Sequence, residues 1–394
     1  MNSVTSTAAV PALAAPAVRT TAYALALLSA GHFAIDLYAA ALAALQPRLV
    51  DNLHLSLTQA GILGGLLILS SSVAQPLYGY LSDRFHTRMF TVLAPAVAGI
   101  FLSVLSIAPS FGWLLVLVVL GGAGVASFHP QASARVTQGV AASRGTWMAL
   151  FISAGTLGMA FGPTFFSWIP AWLGLERTYW AAVPGVLCTV LLWAALPEAP
   201  ALESRGKRFD ITPLKAVWKP LTILYFCVFI RSIVQVSYAQ FIPLYLHRER
   251  GLSVSHANYV LSAYLAFGAL GGFAGGRLAD RIGGRRVIML SMAGAVPFLL
   301  LFFQGSGMLS YVGLMLGGLT LLFTIPVNVV MAQELAPSQT GTVSALMMGF
   351  AWGMSGLVFI PLTGWASDHF SLHTVLAALA VVPLLGFELA RRLR

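Results

Sequence analysis

At residues 79–88 the chain reads GYLSDRFHTR, and at 276–286 it reads GRLADRIGGRR. Gly79 and Asp83 of the first stretch correspond to Gly276 and Asp280 of the second, each pair 197 residues apart. Outward from these loops a similar offset recurs. Pro47 matches Pro243 and Pro130 matches Pro326 at 196 residues, while Gly155, Gly158, Phe161 and Pro163 match Gly353, Gly356, Phe359 and Pro361 at 198. Landmarks spread over the whole length at so constant a spacing mark a parallel duplication, which places a substrate site at the interface of the two halves near mid-membrane. The halves are built of apolar runs: 58% of the 394 residues are hydrophobic and 9% charged. A soluble domain carries roughly 25% charged residues, so a water-soluble fold is excluded. Broken at charged or Pro/Gly-marked points, the runs divide into twelve segments of membrane-spanning length, the first at 21–46 and the last at 371–390.

The expected architecture is therefore all-α and integral to a membrane, with two pseudo-symmetric six-helix bundles at 21–196 and 219–394, the second ending in a short basic tail. Between them lies PEAPALESRGKRFDITPLKAVW (197–218), the one long polar stretch between spans, read as a cytoplasmic linker. Residues 1–20 are rich in Ala, Pro, Ser and Thr and lack a charged n-region and a Leu-rich h-region, so they read as a disordered cytoplasmic tail and not as a signal peptide. With the amino terminus inside, 17 of the 22 Lys and Arg residues fall on the cytoplasmic side and only Arg48, Arg177, Arg248 and Arg250 on the other, with Arg231 inside a span. This positive-inside asymmetry puts both termini in the cytoplasm and accounts for the +10 charge without nucleic acid. Cys188 and Cys227 match no ligand or redox spacing and read as buried small hydrophobes.

Charged groups at bilayer depth cost several kcal/mol unless paired or hydrated, so they are the first functional candidates. His32 and Asp36 stand four apart on one face of the first span, where they can share a proton; they are the expected proton-coupling pair. Aligning Pro47 with Pro243 sets Asp36 and Arg231 at similar depth, so the two are expected to meet across a central cavity. An anion on Arg231 would then favour protonation of Asp36, which describes symport; antiport requires the two ligands to compete, and the residues do not choose between these. A metal site at His32 and Asp36 lacks an identifiable third ligand, and none is expected. His129, next to the helix-loosening Pro130, and Gln131 are expected to orient a polar substrate head. Gln235 and Tyr238, four and seven residues beyond Arg231, and Asn328, two past Pro326, complete the expected substrate-binding set. Gly79 and Gly276 are read as allowing close helix approach, and Asp83 and Asp280 as complementing helix amino ends. Arg84, Arg135 and Arg281 are the basic residues expected to latch these carboxylates, Arg135 facing Asp83, and Glu334 is expected to play a related role with Arg281 or Arg285. Asp368 falls in an outer loop and reads as solvated.

Twelve spans, a central cytoplasmic loop and two copies of a G-x-L-x-D-R-type loop resemble the major facilitator superfamily. HFAIDLYAAALAALQPRL (32–49), FHPQAS (128–133), RSIVQVSYAQFIPLYL (231–246) and MAQELAPSQTGTVSALMMGFAWG (331–353) narrow the resemblance to the fosmidomycin-resistance group of bacterial efflux transporters. That resemblance implies alternating access, a bacterial inner membrane and a gating role for the two loops. Gly158, Gly162 and Pro163 are close to the G-x-x-x-G-P core that the superfamily associates with antiporters, although Phe165 and Phe166 stand where further glycines belong. The group pattern also implies Glu after FHP, whereas this chain has Gln131, so coupling must rest elsewhere or be weaker.

The function expected is a proton-coupled exporter of a small anionic or amphipathic compound such as a fosmidomycin-like drug, acting as a monomer in the lipid bilayer, with protons and a small-molecule substrate as partners. Uptake or facilitated transport of an organic acid or phosphorylated metabolite is the alternative. No G-x-S-x-G, HExxH or Walker loop occurs, so an enzyme, a cofactor and an ATP site are not expected; a non-transporting receptor is the remaining class.

Overall fold

The computed structural model describes residues 15–85, 87–136, 144–196 and 212–393. Most of the expected tail and linker, at 1–14 and 197–211, lie outside these residues, as does the side chain of Asp83. The parts that are described are helical: one helix already begins at Ala15, and another runs Thr212–Ala216.

Among the described residues twelve helices are long and apolar enough to span a bilayer, and there is no strand. They are α1 (Ala22–Asn52), α2 (Leu57–Ser82), α3 (Met89–Ile107), α4 (Phe111–Val136), α5 (Thr146–Leu173), α6 (Leu175–Ala195), α7 (Trp218–Arg248), α8 (Val254–Ile282), α9 (Gly284–Gln304), α10 (Gly307–Leu335), α11 (Pro337–His369) and α12 (Leu372–Ala390). Hydrocarbon offers the backbone no hydrogen-bond partner, so each apolar run satisfies its own N–H and C=O groups as a helix. The breaks carry their own chemistry. Ser56 and Gln59 form a reciprocal capping box at the start of α2, each side chain 3.0 Å from the other's backbone nitrogen. Gly283 turns the chain between α8 and α9 at φ +86°, a left-handed conformation that disfavours any side chain.

Helices α1–α6 and α7–α12 form the two bundles, and small residues decide which helices touch, because lipid supplies no hydrophobic drive between them. Gly158 and Gly162 of α5 sit over the carbonyls of Phe33 and Leu37 on α1, where a methyl group has no room. Gly271 and Gly275 of α8 sit likewise over the carbonyls of Leu319 and Phe323 on α10. Between the bundles, Gly61 and Gly65 of α2 face Ile360, Leu357 and Pro361 of α11, while Gly364 faces the Leu57 carbonyl. Gly79 and Gly276 are different. A Cβ there would lie 3.5 Å from Pro130 and 3.7 Å from Pro326, ordinary contact distances, so the expected close approach is not made at these two positions. The two glycines are nonetheless equivalent in space, each facing the matching proline of its own half.

An even number of spans brings both chain ends to one face, and polar contacts join the bundles toward the opposite face. Asp51 of α1 pairs with Arg248 of α7 at 2.7 Å and with His247 at 3.3 Å. Gln240 donates to Gln46 (2.9 Å), Asn258 to the Ala44 carbonyl (3.0 Å) and Ser167 (2.8 Å), and Thr164 meets Ser262 (2.8 Å). Asp368 is exposed, as expected, but it also accepts from the Leu57 and Thr58 backbone nitrogens at 2.8 Å each and from the Thr58 hydroxyl at 2.6 Å. It caps α2 from the other bundle, where the helix dipole favours an anion. Asp368→Asn is expected to lower stability by about 1–2 kcal/mol, seen as earlier thermal unfolding of the purified protein; a purely solvated Asp368 would leave the transition unmoved.

Candidate functional site

Near the middle of α1, the i, i+4 spacing sets His32 and Asp36 on one face, with Nε2 of His32 3.4 Å from the carboxylate. The other carboxylate oxygen lies 3.3 Å from Nε2 of His129, carried by α4. Asp36 thus bridges two imidazoles. Each ring is held from behind: His32 Nδ1 lies 2.8 Å from the Phe151 carbonyl and His129 Nδ1 2.9 Å from the Val125 carbonyl. A carbonyl only accepts, so both Nδ1 atoms carry hydrogen and both Nε2 atoms turn toward the carboxylate. His32 stacks on Phe151 at 4.2 Å and meets His129 edge-on at 5.1 Å. Gly155 backs the group, since any Cβ there would collide with His32 and Asp36. With His32 buried and Asp36 and His129 retaining 16% and 21% side-chain exposure, the cluster is enclosed yet reachable. Chemically it can hold a proton between imidazole and carboxylate, or a metal ion; His129 is the third ligand that sequence spacing did not reveal.

The second site lies in the other bundle. Arg231 on α7 is 4% exposed, donates to Gln235 one turn on, and has its Nε buried without a hydrogen-bond partner. No carboxylate among the described residues pairs with it. Arg231 and Gln235 open onto a cavity of about 170 Å³ whose other walls are Val228, Ile325, Val329, Met347, Met348 and Trp352. Asn328, expected in the substrate set, is on the same helix as Ile325 and Val329 but is not a wall of the cavity; it is 1% exposed with both amide atoms without hydrogen-bond partners. The expected meeting of Asp36 with Arg231 is not made: equal depth in two bundles says nothing of which way each side chain is turned, and Asp36 is taken by its own bundle's histidines.

His129, expected to orient a substrate head, instead joins Asp36 and does not line the cavity, and two other expected substrate residues face elsewhere. Gln131 follows His129 by two positions, about 200° around the helix, and so points away from Asp36. Its amide donates to Ser82 Oγ and the Thr87 carbonyl at 2.7 Å each and accepts from Thr91, tying α4 to the α2–α3 loop. Gln131→Glu replaces two donors with an acceptor against a carbonyl and is expected to lower stability by about 1–3 kcal/mol, measurable as a drop in the thermal unfolding temperature; unchanged unfolding would contradict this wiring. Tyr238 is fully buried, donates to the Leu376 carbonyl of α12 at 2.8 Å and packs on Phe303. Seven residues carry it two turns deeper than Arg231, to the level where α12 covers α7, so it binds helices together and does not line the cavity.

The latch residues are arranged differently from expectation as well. Asp280, Arg281 and Glu334 are exposed, and neither carboxylate is in an ion pair among the described residues. Arg285 donates to the Arg391 carbonyl at 2.6 Å and not to Glu334. Arg84 reaches Tyr80 at 3.3 Å, and Arg135 is buried near the C-terminal end of α4. The expected partnership of Arg135 with Asp83 falls on a side chain outside the described residues. Residues that sequence reading missed are Phe151 and Gly155, which fix the cluster, and Met347, Met348 and Trp352, which wall the cavity. Gly155 was visible only as a landmark of the repeat, and the others only as apolar residues among many.

The model of the family described as Major Facilitator Superfamily matches residues 25–257 and 224–394. The fosmidomycin resistance protein of Escherichia coli K12 is 30% identical over 366 residues, covering 91% of this chain and 90% of that protein. An uncharacterized MFS-type transporter of Bacillus subtilis 168 is 31% identical over 367 residues, 90% of this chain and 89% of its own. Among solved structures, a bacterial homologue of the human lysosomal transporter Spinster, crystallised inward-facing and occupied, superposes with a TM-score of 0.84 at 16% identity, covering 94% of this chain and 96% of that one. The nucleoside transporter NupG gives 0.76 at 14% identity, with coverage of 94% and 98%.

Proposed function

Since this chain belongs to the major facilitator superfamily, we propose that it is a proton-coupled secondary transporter that exports a small anionic, amphipathic compound across a bacterial inner membrane, with both termini in the cytoplasm. The observation that carries the reading is Arg231: a guanidinium buried without a counter-charge among the described residues. Leaving a buried charge uncompensated costs about 3–5 kcal/mol, and an anionic substrate supplies what is missing. Gln235 offers a further hydrogen bond, and Met347, Met348 and Trp352 suit an apolar body behind the anionic head. Substrates of this kind include phosphonates such as fosmidomycin, which the Escherichia coli relative is named for resisting. The His32–Asp36–His129 cluster serves as the proton carrier, a role that does not need a carboxylate at Gln131. Excess positive charge on the terminal side supports the orientation.

One observation favours a second reading. Proton carrier and anion site sit in different bundles, so both can be filled together, as anion–proton symport requires. Inside-out vesicles with an acid interior and a luminal pH dye separate the two. Fosmidomycin added outside raises luminal pH by antiport and lowers it by symport, and no change removes this compound as a coupled substrate.

A further inference from the structure

We propose that His32, Asp36 and His129 form a binding site for one divalent transition-metal ion of the zinc class. The inference stands on side-chain geometry and does not depend on the transport reading. The three ligand atoms lie within 4.8 Å of one another. The two imidazole-to-carboxylate distances are 3.4 and 3.3 Å. A tetrahedral zinc centre with bonds of about 2.0–2.1 Å spaces its ligand atoms about 3.3 Å apart; the two rings approach different oxygens of Asp36, so an ion is held once the rings draw together on it.

The rings are also in the form a metal needs. Ligating histidines donate their second ring N–H to a carbonyl or carboxylate, which fixes tautomer and orientation. Here both do so, to Phe151 and Val125. The Nε2 lone pairs therefore converge on a carboxylate with lone pairs of its own, an arrangement that calls for a positive centre between them. Stacking on Phe151 and the backing of Gly155 hold the group ready. Partial exposure of Asp36 and His129 leaves a coordination position open toward solvent. Two imidazoles and one carboxylate select zinc, cobalt or nickel over magnesium and calcium, which prefer all-oxygen shells.

Untagged full-length protein in detergent, titrated with Co²⁺, tests this directly. One equivalent is expected to bind with the visible bands of a low-coordinate site, to be displaced by Zn²⁺ and to resist a large excess of Mg²⁺. His32→Asn and His129→Asn are each expected to weaken Co²⁺ at least about tenfold and abolish the bands, with elution volume and thermal unfolding confirming the fold. His247→Asn, near Asp51 on the opposite face, leaves binding unchanged. Failure of the wild type to bind Co²⁺ at millimolar concentration overturns the proposal, and so does binding that survives in His129→Asn. A filled site with unimpaired gradient-driven accumulation would support the metal assignment and count against the proton-carrier reading of the same residues.

Discussion

Arg231→Gln is expected to weaken binding of an anionic substrate by about 30- to 1,000-fold, or about 2–4 kcal/mol, while leaving the protein at least as stable as the parent. The two halves of this expectation have one cause. Arg231 is buried, its Nε lacks a partner, and its described neighbours offer the neutral Gln235 and no carboxylate. In the empty protein the charge is a liability, so its removal relieves strain; with an anion present it is the main attraction. A structural arginine behaves in the opposite way, because breaking a satisfied buried pair destabilises the fold. Arg231→Lys keeps the charge but loses the planar fork and falls between. The measurement is a binding isotherm paired with thermal unfolding. A destabilised Arg231→Gln that still binds substrate normally would sink the assignment.

Asp36→Asn is expected to abolish gradient-driven accumulation while substrate exchange at equal pH on both sides continues within a few-fold. Each coupled proton moved down one pH unit supplies about 1.4 kcal/mol, enough for about a tenfold substrate gradient, and an asparagine carries no such proton. Exchange needs only a loaded transporter that changes conformation, and the anion site lies in the other bundle. The amide is close in size and keeps a hydrogen bond available to His32 or His129, so the cluster stays packed. Proton movement that persists in Asp36→Asn would place the carrier elsewhere. Loss of exchange together with accumulation would make the residue structural.

Sequence alone determined the number of spans, their duplication and the family resemblance, because each is written in local period, composition and linear spacing. It also placed His32 with Asp36 and Arg231 with Gln235, since a single turn of helix fixes those neighbours. Which helices touch, and at what rotation, was decided by the tertiary structure. Gly158 and Gly162 bring α5 onto α1, Gly155 and Phe151 then back the cluster, and α4 delivers His129 to Asp36. The same packing turned Gln131 to the α2–α3 loop, sank Tyr238 beneath α12, kept Asp36 apart from Arg231 and drew Asp368 across the bundle seam. Depth along a helix follows from counting residues. Azimuth depends on where small residues on distant helices let backbones meet, a non-local property that no single stretch of the chain contains.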